Sequence, residues 1–284
     1  METLTLRQVR RFLRPRDANS HKGQNGKVLV IGGCEKFTGA PALAAMAALA
    51  SLRSGTDLCT VAAPQKAAWV ISTYSPDLIA EKLPGKGFSE RHLRRLLELQ
   101  KNADATLIGP GMGREKKPMA LARQFAAKSK GAMVVDADAL FACAGMKFKM
   151  PAIITPHAHE FLEFTAIKIE GKKLGEKIKI VEKSARKHNC TILLKGRVDI
   201  ISDGAATFIN STGNAGMSVG GTGDVLAGLC AGFSALGATP VNAAAAAAFV
   251  NGKIGDGLFK KMGYSFIASD FIGQIPKWIK KILQ

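Results

Sequence analysis

The residue in this sequence best placed to do chemistry is an aspartate that closes a glycine-dense run. Residues 210–224 read Asn210-Ser-Thr-Gly-Asn-Ala-Gly-Met-Ser-Val-Gly-Gly-Thr-Gly-Asp224, with five glycines from Gly213 to Gly223. An apolar helical stretch follows, from Val225 to Leu236. Glycines permit positive φ and let backbone N–H groups converge on one point. A helix N-terminus adds unpaired donors and a partial positive charge. Together they form an anion hole suited to a phosphoryl group in transit. A carboxylate beside it can take the proton of a hydroxyl that attacks phosphorus. The competing use of Asp224 is helix capping, the common role of an aspartate at a helix start. The glycines packed ahead of it favour the chemical role.

Other motifs narrow the chemistry. GxxxxGK[ST] is absent and no lysine follows Gly223, so this is not a Walker A loop. Gly109-Pro-Gly-Met-Gly113 has the wrong spacing for a dinucleotide fingerprint, which disfavours hydride transfer at a Rossmann site. His157 and His159, in Thr155-Pro-His-Ala-His-Glu160, do not fill a zinc shell by themselves, and no third ligand stands near in sequence; no protein-built metal site is expected. Glu160 would open the following helix and favour its positive end. Asp136 and Asp138 read first as caps of the next helix. Lys195, taken alone, is a strand-end lysine in solvent. The five cysteines include no CxxC pair and read as buried small hydrophobes in a reducing cytosol.

These residues need a frame that brings them together. Short β-branched runs, at 27–31, 57–62, 105–108, 132–136, 152–155, 191–194, 199–202 and 206–209, alternate with helical stretches. The helices are expected at 41–54, 89–100, 117–128, 175–188, 224–236, 241–255 and 269–283. Runs such as Val28–Ile31 are apolar throughout, as strands buried on both faces are. The alternation predicts an α/β fold, a mainly parallel sheet with helices on both sides. Ligands of such sheets bind beyond the carboxyl ends of the strands. Asp203-Gly204, between two short strands, predicts one antiparallel hairpin. The division expected is an N-terminal extension over 1–20, with a short helix at Leu6–Leu13, and a single domain over 21–284.

The formal net charge is +18, and hydrophobic residues make up 47% of 284. A basic field attracts polyanions. The lysines and arginines are scattered, however, with modest groups at 7–16, 172–187 and 277–281, and no nucleic-acid-binding motif accompanies them. A surface that concentrates nucleotide substrates fits better than nucleic-acid binding. No apolar run reaches the ~20 residues of a membrane span, and the N-terminus is charged from its second residue, unlike a signal peptide. A cytoplasmic location is expected, with no membrane partner.

Gly220-Gly-Thr-Gly-Asp-Val-Leu-Ala-Gly228 resembles the GTGD anion-hole signature of the ribokinase-like superfamily. An ordered set of further segments is similar to the ADP/ATP-dependent NAD(P)H-hydrate dehydratase family: Lys22–Gly33, Thr38–Pro41, Leu52–Gly55, Ile108–Gly113, Val135–Leu140, Thr155–His157, Leu194–Gly196 and Asn214–Met217. The resemblance spans roughly residues 20–255 and implies a ribokinase-like three-layer αβα sandwich. It implies ADP- or ATP-dependent dehydration of the S epimer of NADHX or NADPHX, with release of AMP or ADP and phosphate, and with Mg2+ on the donor phosphates. Phosphate leaves carbon far more readily than hydroxide, so a kinase site can drive a dehydration. By the resemblance Asp224 is the base and also contacts substrate. Ala40, Gly111, Gly113 and His157 contact the hydrated nicotinamide. Lys195, Gly196, Arg197, Val198 and Asp199, with Asn214, Ala215, Gly216, Met217, Ser218, Val219, Gly220, Gly221, Thr222 and Gly223, hold the adenine nucleotide. The family usually has glycine where His159 stands, which bears on the shape of that loop. A separate epimerase and a homotetramer are further implications. Two alternatives share parts of this pattern. A ribokinase-like kinase of a thiazole or pyrimidine alcohol would keep the anion hole and release a phosphorylated product. A non-catalytic basic nucleotide- or RNA-binding protein would have no use for Asp224.

Overall fold

The apolar runs assemble into a ten-stranded sheet. A computed structural model describes residues 2–150 and 152–284. Its strands are β1 (Glu2–Thr3), β2 (Lys27–Ile31), β3 (Leu58–Pro64), β4 (Ile79–Leu83), β5 (Ala105–Ile108), β6 (Ala132–Val135), β7 (Ala152–Ile154), β8 (Cys190–Leu194), β9 (Asp199–Ser202) and β10 (Thr207–Asn210). The helices are α1 (Leu6–Phe12), α2 (Ala40–Arg53), α3 (Gln65–Ser72), α4 (Leu93–Gln100), α5 (Lys116–Lys128), α6 (Asp138–Ala142), α7 (Ala158–Thr165), α8 (Leu174–His188), α9 (Thr222–Ala235), α10 (Pro240–Met262), α11 (Ala268–Ile272) and α12 (Ile275–Leu283). Among the described residues no helix is long and apolar enough to cross a membrane.

The strand order is β1-β10-β9-β8-β7-β6-β5-β2-β3-β4. Every neighbouring pair is parallel except β8–β9 and β9–β10. The chain runs outward from β2 through β3 and β4, then returns to place β5 on the other side of β2. That reversal opens a crevice beyond the strand ends, where such sheets take their ligands. Alternate strand residues point to opposite faces. Val28, Val30, Leu107 and Val134 pack under α2, α9 and α10. Leu29, Ile31, Ile108 and Val135 pack under α4 to α8. Both faces are therefore covered, in three layers.

Small residues set the helix that follows the glycine run. Gly228 of α9 lies against Ala47 of α2, where an added Cβ would overlap the Ala47 carbonyl, and Ser51 Oγ donates to the Gly228 carbonyl at 2.9 Å. Overpacking such a contact costs about 1–3 kcal/mol.

Several elements differ from the sequence expectation. β4 sits at the sheet edge with Glu81 and Lys82 in it, a charged pattern that suits an edge but hides the strand. The two-residue β1 pairs with β10, and α1 buries Val9 in the core, so the N-terminal segment packs on the body. α3 follows β3 without a loop. The stretch expected as one helix over 269–283 is broken at Gly273–Gln274 into α11 and α12. The hairpin forms as expected: Asp203 Oδ1 accepts from the N–H groups of Ala205 and Ala206, and Gly204 takes φ +90°.

Candidate active site

α9 begins without a side-chain cap. Its N-cap is Gly221 at φ +96°, a conformation that a side chain would strain. Thr222 turns its hydroxyl back to donate to the carbonyls of Met217 (2.7 Å) and Val219 (3.1 Å), which pins the preceding loop. The first N–H to reach a helical acceptor is that of Val225, on the Gly221 carbonyl. The N–H groups ahead of it are the open end of the helix, with its partial positive charge. The loop rests on α10 through glycines: a Cβ on Gly252 would overlap Thr212, and one on Gly255 would overlap Met217.

Asp224 is half-buried in that first turn. Burial is the main force that pushes its pKa up to about 7; the charge of Asp136 adds to the rise and Lys195 opposes it. Lys195 Nζ, at the end of β8, lies 3.4 Å from Asp136 Oδ1 and 3.6 Å from Glu160 Oε2. Burial works against the Lys195 charge, but Asp136 and Glu160 outweigh it and hold the ammonium above its ordinary pKa. Asp136 is 2% exposed and also accepts from Thr155 Oγ1 at 2.6 Å. It is therefore not the cap of α6, whose N-cap is Ala137. Asp138 does staple a loop: it accepts from Gly113 N at 2.9 Å and Arg114 Nε at 2.8 Å. Asp136 and Glu160 are the residues that sequence reasoning left out of the site. Asp136 directly follows β6 and Glu160 opens the helix after β7; that both lie beyond carboxyl ends of parallel strands was the available signal.

Two cavities meet at this turn. The larger, about 1080 Å³, is lined by Lys195 to Asp199, by Asn214, Ala215, Met217, Ser218, Thr222 and Gly223, and by the α10 residues Ala248, Asn251 and Gly252. The smaller, about 650 Å³, lies at the β2/β5 reversal and is lined by Ala40, Gly111, Gly113 and Asp224. Gly111 presses on Ala40 so closely that a Cβ would collide with it. Gly216, Val219, Gly220 and Gly221 shape the loop without lining either cavity. Asp199 turns its carboxylate to Gly196 N (3.0 Å) and Asn210 Nδ2 (2.9 Å), and burial raises its pKa to about 6.

His157 borders the larger cavity, apart from Ala40, Gly111 and Gly113. Its Nδ1 accepts from the N–H groups of His159 (3.2 Å) and Glu160 (3.3 Å), and its own N–H donates to Glu160 Oε2 at 2.8 Å. That is a capping box at the start of α7. The other ring nitrogen, Nε2, lies 3.6 Å from Glu160 Oε2. Among the described residues no three His, Cys, Asp or Glu side chains converge as a metal site.

A sequence profile described as NAD(P)H-hydrate dehydratase matches residues 28–277. The chain is 42% identical to a bifunctional NAD(P)H-hydrate repair enzyme of Pyrobaculum aerophilum, over 94% of this chain and 53% of that protein. It is 36% identical to an ADP-dependent (S)-NAD(P)H-hydrate dehydratase of Nitrosopumilus maritimus, over 98% and 97% of the two chains. The chain thus spans about half the length of the bifunctional relatives it matches. The crystal structure of a Bacillus subtilis ADP/ATP-dependent NAD(P)H-hydrate dehydratase superposes with a TM-score of 0.84 at 24% identity, covering 99% of this chain and 98% of that one. Together with a ribokinase-like superfamily protein of Enterococcus faecalis (TM-score 0.86, 26% identity, 100% and 96% covered), it establishes a ribokinase-like fold.

Proposed function

The chain belongs to the NAD(P)H-hydrate dehydratase family, and on that premise we propose that it dehydrates the S epimer of NADHX or NADPHX at the expense of ADP or ATP. One observation carries the reading. The first turn of α9 stands between two cavities, with Thr222 and Gly223 on the larger and Asp224 on the smaller. The larger cavity would take the adenine nucleotide and the smaller the hydrated nicotinamide, with His157 and Lys195 flanking the place where they meet.

The chemistry runs in two steps. Asp224 takes the proton of the C6 hydroxyl, that oxygen bonds to the terminal phosphorus, and the donor's P–O bond breaks to leave AMP or ADP. The C6–O bond of the phosphorylated intermediate then breaks. Phosphate departs with the bonding pair and accepts the proton given up at C5, which restores the dihydronicotinamide double bond, and Asp224 releases its own proton to solvent. A base with a pKa of about 7 is matched to neutral conditions. The α9 N–H groups and Lys195 face the charge that builds on the transferring phosphoryl group. Magnesium, when bound, supplies charge neutralisation on the donor phosphates. Such an ion commonly takes only one or two protein carboxylates, and Asp136 and Glu160, whose oxygens face Lys195, fit that need.

The expected partner activity is an epimerase that converts the R hydrate. A tetramer is the expected assembly; Trp69 and Tyr74 of the α3 region and Ile79 of the edge strand β4, all exposed, support self-association there. The test is incubation with hydrated NADH or NADPH, Mg2+, and ADP or ATP. Return of the dihydronicotinamide absorbance, with phosphate released in equal amount, is expected. A stable phosphorylated product without that return would instead support a small-molecule kinase.

A further inference from the structure

The smaller cavity has a closed end and an open one. Ala40 and Asp224 lie at the closed end, buried and half-buried; Lys36, Phe37, Arg114 and Glu115 line the same cavity but are exposed, so they form its mouth. Two cations stand there, and they are held differently. Lys36 Nζ pairs with Glu115 Oε1 at 2.8 Å, with both side chains in solvent. Arg114 is fixed from two sides. Its Nε donates to Asp138 Oδ1 at 2.8 Å, and the other oxygen of Asp138 is anchored by Gly113 N at 2.9 Å. Its guanidinium carbon lies 3.6 Å from the centre of the Phe141 ring, which in turn meets His159 with ring centres 6.5 Å apart. A guanidinium has five N–H donors, and Nε uses one of them. Among the described residues Nη1 and Nη2 have no acceptor. One acid and one ring thus hold Arg114 in place without consuming the terminal groups that take a phosphate in bidentate fashion.

We propose that Arg114 receives the pyrophosphate of the hydrated dinucleotide at this mouth and makes the site selective for it over the bare hydrated riboside. This rests on the placement of the hydrated nicotinamide in the smaller cavity. With C6 at Asp224, the attached ribose leaves by the mouth, and the first phosphate stands one ribose from the ring. The 2′-phosphate of NADPHX is on the far ribose, beyond the pyrophosphate. A charge fixed next in chain to Gly113, which lines the cavity, meets the nearer anion. Because Asp138 and Phe141 restrain the side chain beforehand, the contact costs little further ordering. Arg114 sets specificity and stands apart from the reacting atoms.

The test is steady-state kinetics of the full chain, Arg114→Met and Arg114→Lys on hydrated NADH, hydrated NADPH and the hydrated reduced nicotinamide riboside, with Mg2+ and saturating ADP or ATP. The wild-type chain should show a higher KM for the riboside than for either dinucleotide. Arg114→Met should raise KM by ~10-fold for both dinucleotides, the weight of one charge-assisted hydrogen bond, with kcat held and turnover of the riboside unchanged. Arg114→Lys, which keeps the charge without the fork, should recover part of the loss. Salt should raise the KM for hydrated NADH more in the wild type than in Arg114→Met. Arg114→Gln serves the same comparison if the methionine variant does not fold. A rise confined to hydrated NADPH would overturn the inference in favour of the 2′-phosphate. An unchanged KM for both dinucleotides, or a loss shared equally by the riboside, would overturn it by making Arg114 a solvated ion pair or a brace of the Gly113 loop. A wild-type chain that restores dihydronicotinamide absorbance from none of the three would overturn both this inference and the reading of function beneath it.

Discussion

α7 and α9 both begin beside Lys195, and each carries an acid in its first turn, yet one start is closed and the other open. At α7 the imidazole of His157 and the carboxylate of Glu160 occupy each other's backbone N–H groups. Glu160 Oε2 also lies 3.6 Å from Lys195 Nζ and 3.6 Å from His157 Nε2. At α9 the cap position is glycine, Thr222 is turned back toward the loop, and no side chain covers the first N–H groups. Asp224 is thereby released from capping and left facing the smaller cavity. An acid at a helix start is thus a cap or a base according to whether something else secures the turn.

The sharpest way to break that comparison is Asp224→Asn. We expect kcat to fall by ~10³-fold or more, within the range for a lost general base, while AMP binding persists in calorimetry. Because Asp224 must be ionised to act, wild-type kcat/KM should rise with pH through about 7. The stability effect has the opposite sign. A carboxyl whose pKa is raised in the folded state binds its proton more tightly there, so stability falls as pH rises toward and through about 7. Asp224→Asn should therefore melt higher than wild type at alkaline pH and lose that advantage below about pH 4, where the ordinary carboxyl is protonated as well. Equal melting at both pH values would mean that Asp224 is solvated.

Lys195→Met comes next. It leaves Asp136 and Glu160 without their cation and should cost about 2 kcal/mol, less than a fully buried pair because the side chain keeps some solvent. Lys195 also restrains the pKa of Asp224, so the acidic limb of the kcat/KM profile should move to higher pH. A fixed limb would separate the two residues electrostatically.

Gly221→Ala should close the open start. At φ +96° the new methyl group also meets Ala268 Cβ and Met46 Cε, each 2.9 Å away. A loss of ~1–2 kcal/mol in thermal denaturation is expected from the backbone strain, with a raised KM for ADP. The smallest effect belongs to the closed start. His157→Ala should cost ~1 kcal/mol for the lost cap, and His157→Asn, which can still cap, much less; kcat should change least in this pair. A collapse of kcat in His157→Asn would place His157 in the chemistry rather than in the cap.

Much of this was legible before the fold. The strands at 27–31, 105–108 and 199–202 lie where β-branched and apolar residues run together, as strands covered on both faces do. The hairpin at Asp203-Gly204 follows from the conformation its glycine permits. Less legible were β4, whose charges suit an edge, and the break at Gly273, where α11 and α12 separate in what reads as one amphipathic stretch. Asp136 read as a cap because local pattern cannot distinguish a helix-start acid from a strand-end acid one residue earlier.

What the sequence alone determined about this protein is the open turn: the glycines, Thr222 and Asp224 stand within a few residues of one another, and local backbone geometry does the rest. The tertiary structure decided what surrounds it. Lys195 meets Asp136 from 59 residues away, and Asn251 of α10 lines the same cavity as Asn214, because parallel strands align their carboxyl ends and bring distant loops side by side. No local pattern encodes that convergence, since it is a property of strand order and of small residues such as Gly228 and Ala47 that let the helices close.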